Sequence, residues 1–575
     1  MTKDKFNWKF CLCCGLFVWF VVNLLQGIFT EIQEDEAYYH LWGEHLAWGY
    51  FDHPPMVALM TFLSSILFSG TLGVRFFTIV ASCLSLFVMW LIAIDRPFNP
   101  SIDSKRGDLN PKSILLFFIV SWSIVMFDIY GFVATPDSAL ILFSALFLFV
   151  YQRYLNENSW KNAIVMGIIM ALMVYSKYHA FLLIGLIVLS NLKLLKDGKF
   201  LAACLLAFAL LTPHIIWQVN NDFPSFRYHL SGRSEPFRWS YFLEYLPNQL
   251  LVFNPFTFGA VVYVLVKHKT PTVFDRGLRY IIIGFFFFFW LMTFRGHVEP
   301  HWTIACVIPA VVLVYRKSLV DEKLKKYIKR FILPSLLLVL AFRILLLTPL
   351  ADRYGYHGKE KHYKAIEQVA SDRPVVFRGS FQRPALYHYY TGKPSSTLRC
   401  YYDRMTQYDL WQFDRDWIGQ PALVLGMEGN LFETYAIGDV KFDGHLTEHF
   451  QTANRLATEF KITNVDDTEI PIFLIGDTLE MDFSIFNPYN QPIDFHHKEF
   501  NMDLKVLFLN TNDVSYTIHK RINHLEPNQT YEGHLSAIIG ENVKPGKNHV
   551  ALSIGDRIAT FATAGNEVEI MIELP

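Results

Sequence analysis

The chain has 575 residues, of which 52% are hydrophobic, 16% aromatic and 18% charged, and its mean hydropathy is +0.25. An ordinary soluble domain is less apolar and about a quarter charged, so the composition argues against a soluble globular protein and indicates an integral membrane protein. The formal net charge of −1 provides no bulk attraction for polyanions, so we expect no nucleic-acid partner.

Apolar runs long enough to cross a bilayer follow one another from the N-terminus to about residue 349 and then stop. The first run is about 20 residues long and lacks a small-x-small cleavage site, so we interpret it as a retained span rather than a signal peptide. The run 56–70 is interpreted as a juxtamembrane or re-entrant helix on the outer side, because a further span there would invert the charge bias of the following loops. Eleven spans are then predicted, near residues 9–29, 72–94, 113–132, 137–155, 161–176, 179–195, 199–219, 246–267, 280–294, 301–315 and 328–349.

Basic residues are distributed unevenly between the two sides that these spans define. If the N-terminus is inside, the inner segments carry 23 lysines and arginines, whereas the outer loops between spans carry six. Cytoplasmic loops are enriched in Lys and Arg, so we expect a cytoplasmic N-terminus. With an odd number of spans, everything after residue 350 is predicted to lie outside.

The region after residue 350 no longer has a membrane-like pattern. Residues 356–371 are typical of a helix, and the apolar runs PVVFRGS and PALVLG that follow are typical of buried strands, which predicts a small α/β domain over 351–450. Short alternating segments such as LEMDFSIF and LKVLFLN, separated by turn residues, predict a β-sandwich over 451–575. The predicted fold class is therefore a polytopic α-helical membrane domain, residues 1–350, followed by a soluble α/β plus β-sandwich region.

The first predicted outer loop concentrates acidic and aromatic side chains. In a helix, one face of this loop would carry Asp35, Tyr38, Tyr39, Trp42 and Leu46. A helix lying on the membrane with its aromatic residues facing down would hold Asp35 at the boundary between water and lipid. The alternative interpretation is a solvated acidic loop.

Two more charged residues lie at predicted outer span ends. Asp137 follows Thr135 and Pro136, a pattern that favours a helix N-terminus with Asp137 as a dipole-stabilising residue; a functional role is the alternative. Lys177 is the only basic residue of its outer connection. It either snorkels to the lipid headgroups or holds a lipid-linked phosphate.

The two later outer loops also carry candidates for binding. Arg227 and Arg233 alternate with aromatic residues, a composition that suits an anionic lipid or a sugar as well as a plain interfacial loop. The short loop 295–302 contains Glu299 and His301, which together with Asp52 could ligate a divalent metal ion, although this spacing is generic.

These residues resemble the glycosyltransferase family 39/83 enzymes, which include protein O-mannosyltransferases and the bacterial aminoarabinose transferase that modifies lipid A. The resemblance lies chiefly in residues 34–39 (EDEAYY) and 49–55 (GYFDHPP) of the first outer loop. Residues 135–137, 176–178 and 299–302 follow in the order expected for bacterial members. Within the first loop, DHPP is closer to the His-Pro-Pro of the mannosyltransferases than to the acid-Lys-Pro of the aminoarabinose transferase.

The resemblance implies the GT-C fold, a bacterial inner-membrane location and a polyprenyl-phosphate sugar donor. It suggests an inverting transfer of one monosaccharide to a protein, lipid A or glycan acceptor outside the cytoplasm, with Asp35 as the base. The candidate catalytic residues are Asp35, Glu36, Asp52 and Asp137; the candidate donor-phosphate ligands are Lys177, Arg227, Arg233 and His53; and the candidate metal ligands are Glu299, His301 and Asp52. We expect the site between the first loop, Asp137, Lys177 and Glu299, covered by the soluble region.

Two other classes of function remain open at this point. One is a transporter or flippase of a lipid-linked glycan, which predicts charges near the membrane midplane and discontinuous spans. The other is a non-catalytic envelope assembly protein, which would tolerate loss of the acidic residues.

Overall fold

A computed structural model describes residues 8–95, 111–232, 235–267, 272–354, 357–400, 403–426, 432–465, 470–510, 513–519, 522–559 and 561–575. The chain divides into two compact units, Met1–Gly358 and Lys359–Pro575.

The first unit is built from α-helices. In chain order they are α1 (Trp8–Phe29), α2 (Glu34–Glu44), α3 (Met56–Leu67), α4 (Gly70–Ile94), α5 (Pro111–Trp122), α6 (Val125–Ile129), α7 (Pro136–Asn156), α8 (Trp160–Ser176), α9 (His179–Ser190), α10 (Gly198–Leu210), α11 (Thr212–Asn220), α12 (Pro224–Arg227), α13 (Trp239–Phe253), α14 (Pro255–Lys267), α15 (Val273–Met292), α16 (Val307–Val320), α17 (Glu322–Tyr327) and α18 (Leu333–Leu346). Short 3-10 helices lie at Leu192–Lys196, Pro300–Cys306 and Pro349–Tyr354, and π-helical turns at Tyr228–Gly232 and Ile328–Ile332.

Many of these helices are apolar enough for a bilayer. Four are long enough to cross one alone: Trp8–Phe29, Gly70–Ile94, Pro136–Asn156 and the combined helix Pro300–Val320. Two bent pairs raise the number of candidate spans to six if each pair is one span. The shorter helices α3, α5, α8 and α9 are also apolar. A polytopic helical unit is therefore confirmed, whereas the number of eleven spans and the orientation of the termini stay predictions.

The two bent pairs break where the sequence disfavours a continuous helix. The helices α10 and α11 meet at 44°, with a proline in the first turn of α11. The helices α13 and α14 meet at 99°, because Asn254 between them has a left-handed φ of 66° and Pro255 starts the next helix. The span predicted near 246–267 is therefore not one straight helix, and its crossing of the membrane as a single broken span stays a prediction.

Charged side chains inside this unit form buried ion pairs. Arg316 contacts Asp275 at 2.9 Å and also donates to the carbonyl of Ile92 near the end of α4. Arg343 of α18 contacts Asp128 of α6 at 2.8 Å. Pairing offsets part of the cost of removing such charges from water, and each pair ties together segments that are far apart in sequence.

The second unit begins with α19 (Lys359–Ala370) and a mixed sheet. Its elements are β1 (Val375–Arg378), α20 (Gln382–Thr391), β2 (Ser395–Leu398), α21 (Gln407–Trp411), β3 (Ala422–Leu425), β4 (Glu433–Ile437) and β5 (Val440–Thr447). The strand order is β2-β1-β3-β5-β4. The strand β1 pairs in parallel with both β2 and β3, and β5 runs antiparallel to β3 and β4.

The remainder of this unit is mostly antiparallel, with β7 pairing in parallel with β15. Its strands are β6 (Ala457–Ile462), β7 (Ile472–Leu474), β8 (Thr478–Phe486), β9 (Ile493–Asp494), β10 (Asp503–Asn510), β11 (Asp513–His519), β12 (His524–Leu525), β13 (Thr530–Ile538), β14 (Gly546–Gly555) and β15 (Thr563–Glu573). They form sheets of order β11-β10-β14-β15-β7 and β13-β8-β6, with β12-β9 as a separate pair. Alternate residues of β6 and β8 are buried, and both larger sheets contribute to one apolar core, as expected for facing sheets.

Candidate active site

The helix α2 carries the first-loop motif. Gln33 caps it, since the carboxylate of Glu36 accepts the Gln33 backbone N–H at 2.9 Å in a capping box. The acidic residues of the first turn lie where the helix dipole favours negative charge. Tyr39 and Trp42 are buried, and Trp42 stacks on Tyr50 at 4.3 Å between ring centroids.

Glu36 is fully buried and held by several partners. Arg75 donates to both of its carboxylate oxygens, and the backbone N–H of Ala134 donates to one of them at 2.8 Å. Arg75 is itself completely buried and also donates to the carbonyls of Gly27 and Thr30 at the end of α1. These contacts are typical of a structural residue, and the catalytic role of Glu36 stays a prediction.

Asp137 and Lys177 meet in a buried ion pair. Asp137 lies in the first turn of α7 after the N-cap Thr135, as the sequence predicts, and Lys177 lies between α8 and α9. The Lys177 Nζ contacts both carboxylate oxygens of Asp137, at 2.8 and 2.7 Å. The Nε2 of His301 lies 3.7 Å from the same carboxylate, so Asp137 interacts with two groups that can carry positive charge.

The acidic candidates converge around two tyrosines. Burial, and then the negative charges of Asp35, Asp52 and Asp137, hold the pKa of Tyr39 well above its usual value. The carboxylates of Asp137, Asp35 and Glu299 also interact electrostatically with Tyr130. Asp35 is exposed, whereas Asp52 and Asp137 are buried, so of these three Asp35 is the most accessible to an acceptor from solution.

A cavity of about 580 Å³ opens beside this cluster. Its basic and histidine lining consists of His53, Lys177, His179, His229, Arg295 and His297. Its apolar lining includes Phe181, Leu182, Phe288, Phe289, Met292 and Trp302. A cavity with this lining suits a ligand that has an anionic head and an apolar tail.

A hydrogen-bond network fixes the wall of this cavity to the first loop. The Gln218 side-chain amide donates to the Tyr178 hydroxyl at 3.0 Å and to the Ser225 hydroxyl at 2.8 Å. Ser225 in turn donates to the carbonyl of Tyr50 at 3.0 Å. The break between α10 and α11 therefore positions a segment that packs on the loop carrying Asp52 and His53.

Histidines extend the same network. His214 lies within hydrogen-bond distance of the Trp48 carbonyl, at 2.6 Å, and of the Tyr178 hydroxyl, at 3.0 Å. The Nε2 of His229 lies 3.1 Å from the Asp52 carbonyl. His179, His214 and His229 were not among the residues predicted from the sequence. The signal for them was weak, since His229 lies in a predicted outer loop, His179 at a predicted span end and His214 within the predicted span 199–219.

The remaining residues that the sequence predicts as phosphate or metal ligands lie in different parts of the structure. His53 lines the cavity and its ring lies 6.2 Å from that of Tyr39. Arg227 is exposed at the end of α12, and Arg233 lies outside the described residues. Glu299 precedes the 3-10 helix Pro300–Cys306.

The metal candidates form no recognisable centre in the described part of the chain. Among the residues that the structure describes, no group of three or more His, Cys, Asp or Glu side chains could hold a metal ion. A metal requirement therefore stays a prediction.

Comparisons with known proteins agree with this fold. Residues 52–217 match the family model of dolichyl-phosphate-mannose-protein mannosyltransferase. The lipid A galacturonosyltransferase RgtD of Rhizobium johnstonii is 23% identical over 265 residues, or 44% of this chain. That match spans about half, 53%, of the relative's own length.

Two solved structures share the fold at low sequence identity. ArnT from Cupriavidus metallidurans in the apo state has 14% identity and a TM-score of 0.54, covering 76% of this chain and 97% of that one. The same protein bound to undecaprenyl phosphate has 14% identity and a TM-score of 0.55, covering 75% and 97%. The resemblance predicted from the first outer loop is thereby confirmed: the chain has the fold of the GT-C membrane proteins and resembles the GT-C glycosyltransferases.

Proposed function

We propose that the chain is an inverting glycosyltransferase that moves one monosaccharide from a polyprenyl-phosphate carrier to an acceptor on the outer face of a bacterial inner membrane. The observation that carries this proposal is the cavity, whose lining combines Lys177, His53 and Arg295 with apolar side chains. A polyprenyl phosphate has an anionic head and a long apolar tail, which matches both parts of this lining. The likeness of fold to a protein solved with undecaprenyl phosphate supports the same ligand class.

Departure of the carrier phosphate requires positive charge more than it requires a proton. The phosphate leaves as an anion, so preorganised cations that face it lower the barrier. An ammonium group has three N–H donors, and the carboxylate of Asp137 holds that of Lys177 at the cavity wall. We assign Lys177 to the phosphate and Asp137 to the orientation of Lys177.

Activation of the acceptor requires a base within hydrogen-bond reach of its hydroxyl. Asp35 is the exposed carboxylate of the cluster, and it lies close enough to Tyr39 to raise its pKa. Tyr39 stays protonated and can orient the acceptor as a neutral donor. The ring of Tyr39 lies 6.2 Å from that of His53, which lines the cavity, so the acidic cluster adjoins the proposed phosphate site. Direct attack of the activated hydroxyl opposite the leaving phosphate would invert the anomeric carbon.

Three classes of acceptor are candidates. The names of the relatives point to a protein in one case and to lipid A in the other, and a surface glycan is a third candidate. Mass spectra of lipids and glycoproteins from a deletion strain and its parent should differ by one monosaccharide on a single class of molecule. Identical spectra under conditions where the gene is expressed would contradict the proposed transfer.

Removal of the Lys177 charge is expected to lower the transfer rate by about 10²–10³-fold, as for the loss of one preorganised donor. Because Lys177→Met would leave the buried Asp137 carboxylate without its Lys177 partner, the informative variant is Lys177→Gln with Asp137→Asn, which removes both charges. Binding of undecaprenyl phosphate and release of the carrier are measured in liposomes.

Lys193→Gln is the matched control, since Lys193 is exposed at a 3-10 helix away from the cavity lining. The control should behave like the wild type. A folded double variant that binds undecaprenyl phosphate and transfers sugar at the wild-type rate would remove Lys177 from the proposed role.

A further inference from the structure

The second unit contains a cavity of about 400 Å³ at the edge of its parallel strands. The strand β1 leads through α20 to β2 on one side, and β3, on the other side of β1, leads on to the antiparallel strands. In open α/β sheets, ligands bind outside the carboxyl ends of strands where the chain direction switches in this way. Phe377 near the end of β1, Leu425 at the end of β3 and the following Gly426 all line the cavity, so it lies at this switch point.

The residue directly after β3 is a glycine in a left-handed backbone conformation. Gly426 has a φ of +87°, and a Cβ added there would lie 3.2 Å from the Cβ of Arg378. Glycine adopts such a conformation without the strain that other residues incur. Because Gly426 has no side chain, its backbone lines the cavity directly at the end of β3.

The walls combine aromatic faces with a few polar groups. Phe442 of β5 stacks on Tyr435 at 5.6 Å and meets the ring of His362 at 6.4 Å. Tyr363 and Phe432 also line the cavity. Aromatic faces carry negative partial charge, and the C–H face of a pyranose ring carries positive partial charge, so such walls suit a sugar ring.

Three charged or titratable side chains complete the lining: His362, Arg383 and Asp443. Asp443 accepts a hydrogen bond from the Thr434 hydroxyl at 2.7 Å, which fixes its carboxylate. Burial, and then the neighbouring Arg383 charge, lower the pKa of His362, which favours the neutral imidazole and agrees with the proximity of the two side chains in this cavity. Within the described ranges, no carboxylate lies at ion-pair distance from Arg383.

We propose that this cavity binds an acidic saccharide of one or two rings, with the sugar ring against Phe442 and its carboxylate on Arg383. The volume lies within the range of small-molecule sites, about 300–1,000 Å³. A planar guanidinium binds a carboxylate through two parallel N–H groups, and Asp443 is placed to accept sugar hydroxyls. This binding site is separate from the proposed transfer reaction and does not depend on it.

The test uses the full chain in detergent, with glucuronic acid and glucose as probes and saturation-transfer NMR titration as the readout. Glucuronic acid should bind more tightly than glucose. Arg383→Ala should weaken glucuronic acid binding about tenfold, as for loss of a charge-assisted hydrogen bond, and leave glucose unchanged. Phe442→Ala should weaken both sugars.

Arg557→Ala, in the loop between β14 and β15, is the control and should leave both affinities unchanged. Arg383 is exposed, so its removal should not disturb the fold. Absence of binding by both sugars, or binding that Arg383→Ala and Phe442→Ala leave unaltered, would overturn the proposal.

Discussion

Replacement of Asp35 by asparagine is expected to reduce the rate of sugar transfer by about 10²–10⁴-fold, the usual contribution of a positioned general base. Asparagine keeps the size of the side chain and removes its ability to take a proton. Asp35 is exposed in the first turn of α2, so the free energy of unfolding should change by no more than about 0.5 kcal/mol. The initial rate of carrier release in liposomes, with thermal unfolding of the same preparation, measures both effects.

The neighbouring Glu34 provides the control for this experiment. It is also exposed in the first turn of the same helix, so Glu34→Gln removes the same charge from the helix N-terminus. That variant should keep most of the wild-type rate, and Asp35→Glu should recover part of it. Near-normal transfer by folded Asp35→Asn would exclude Asp35 as the base, whereas an equal loss in Glu34→Gln would point to a general effect of negative charge.

The sequence was sufficient to predict features that depend on local pattern. The burial of Tyr38, Tyr39 and Trp42 on α2 follows from helical periodicity, because residues three and four apart share a face. The prediction failed for Leu46, which lies after the end of α2 and is 49% exposed. Element boundaries depend on capping and tertiary contacts that periodicity does not contain.

The resemblance placed Asp137 and Lys177 around one site, but the sequence did not predict the direct contact between them. Asp137 and Lys177 are 40 residues apart, and each alone has an ordinary explanation as a dipole-stabilising or a snorkelling residue. Only the packing of α7 and α8 brings the two charges together. His229 likewise lies beside Asp52, although the two residues are 177 positions apart in the sequence.

The sequence contains a signal for the helix break before α14, but the hydropathy pattern does not reveal it. Asn254-Pro255 is a signal for chain interruption, yet the apolar residues on both sides give a run that averages to one span. The structure shows that such breaks position the site, since α11 after the first break carries His214 to the carbonyl of Trp48 in the first loop. It also carries Gln218 to Ser225, which donates to the carbonyl of Tyr50 in the same loop. Discontinuous helices were the feature expected of a transporter, but here one of them supports the wall of a cavity beside the acidic cluster.

Removal of one partner of the buried pair Glu36–Arg75 should be the most destabilising single change at this site. Both side chains are fully buried, so Glu36→Gln leaves an uncompensated guanidinium and should lower the free energy of unfolding by about 3–5 kcal/mol. The thermal unfolding midpoint in detergent measures this loss. Glu36→Gln with Arg75→Met removes both charges and should recover a substantial part of the stability, as buried pairs replaced by apolar residues often do.

The same variants distinguish a structural from a catalytic Glu36. Its carboxylate accepts the Ala134 N–H, three residues before Asp137, so loss of the pair should displace the start of α7 and weaken the contact of Asp137 with Lys177. Stability and transfer should therefore fall together in the single variant and recover together in the double one. A Glu36→Gln protein that unfolds at the wild-type temperature but has lost transfer would instead show that Glu36 acts in the reaction itself, and the contacts with Arg75 and Ala134 would then serve to tune that carboxylate.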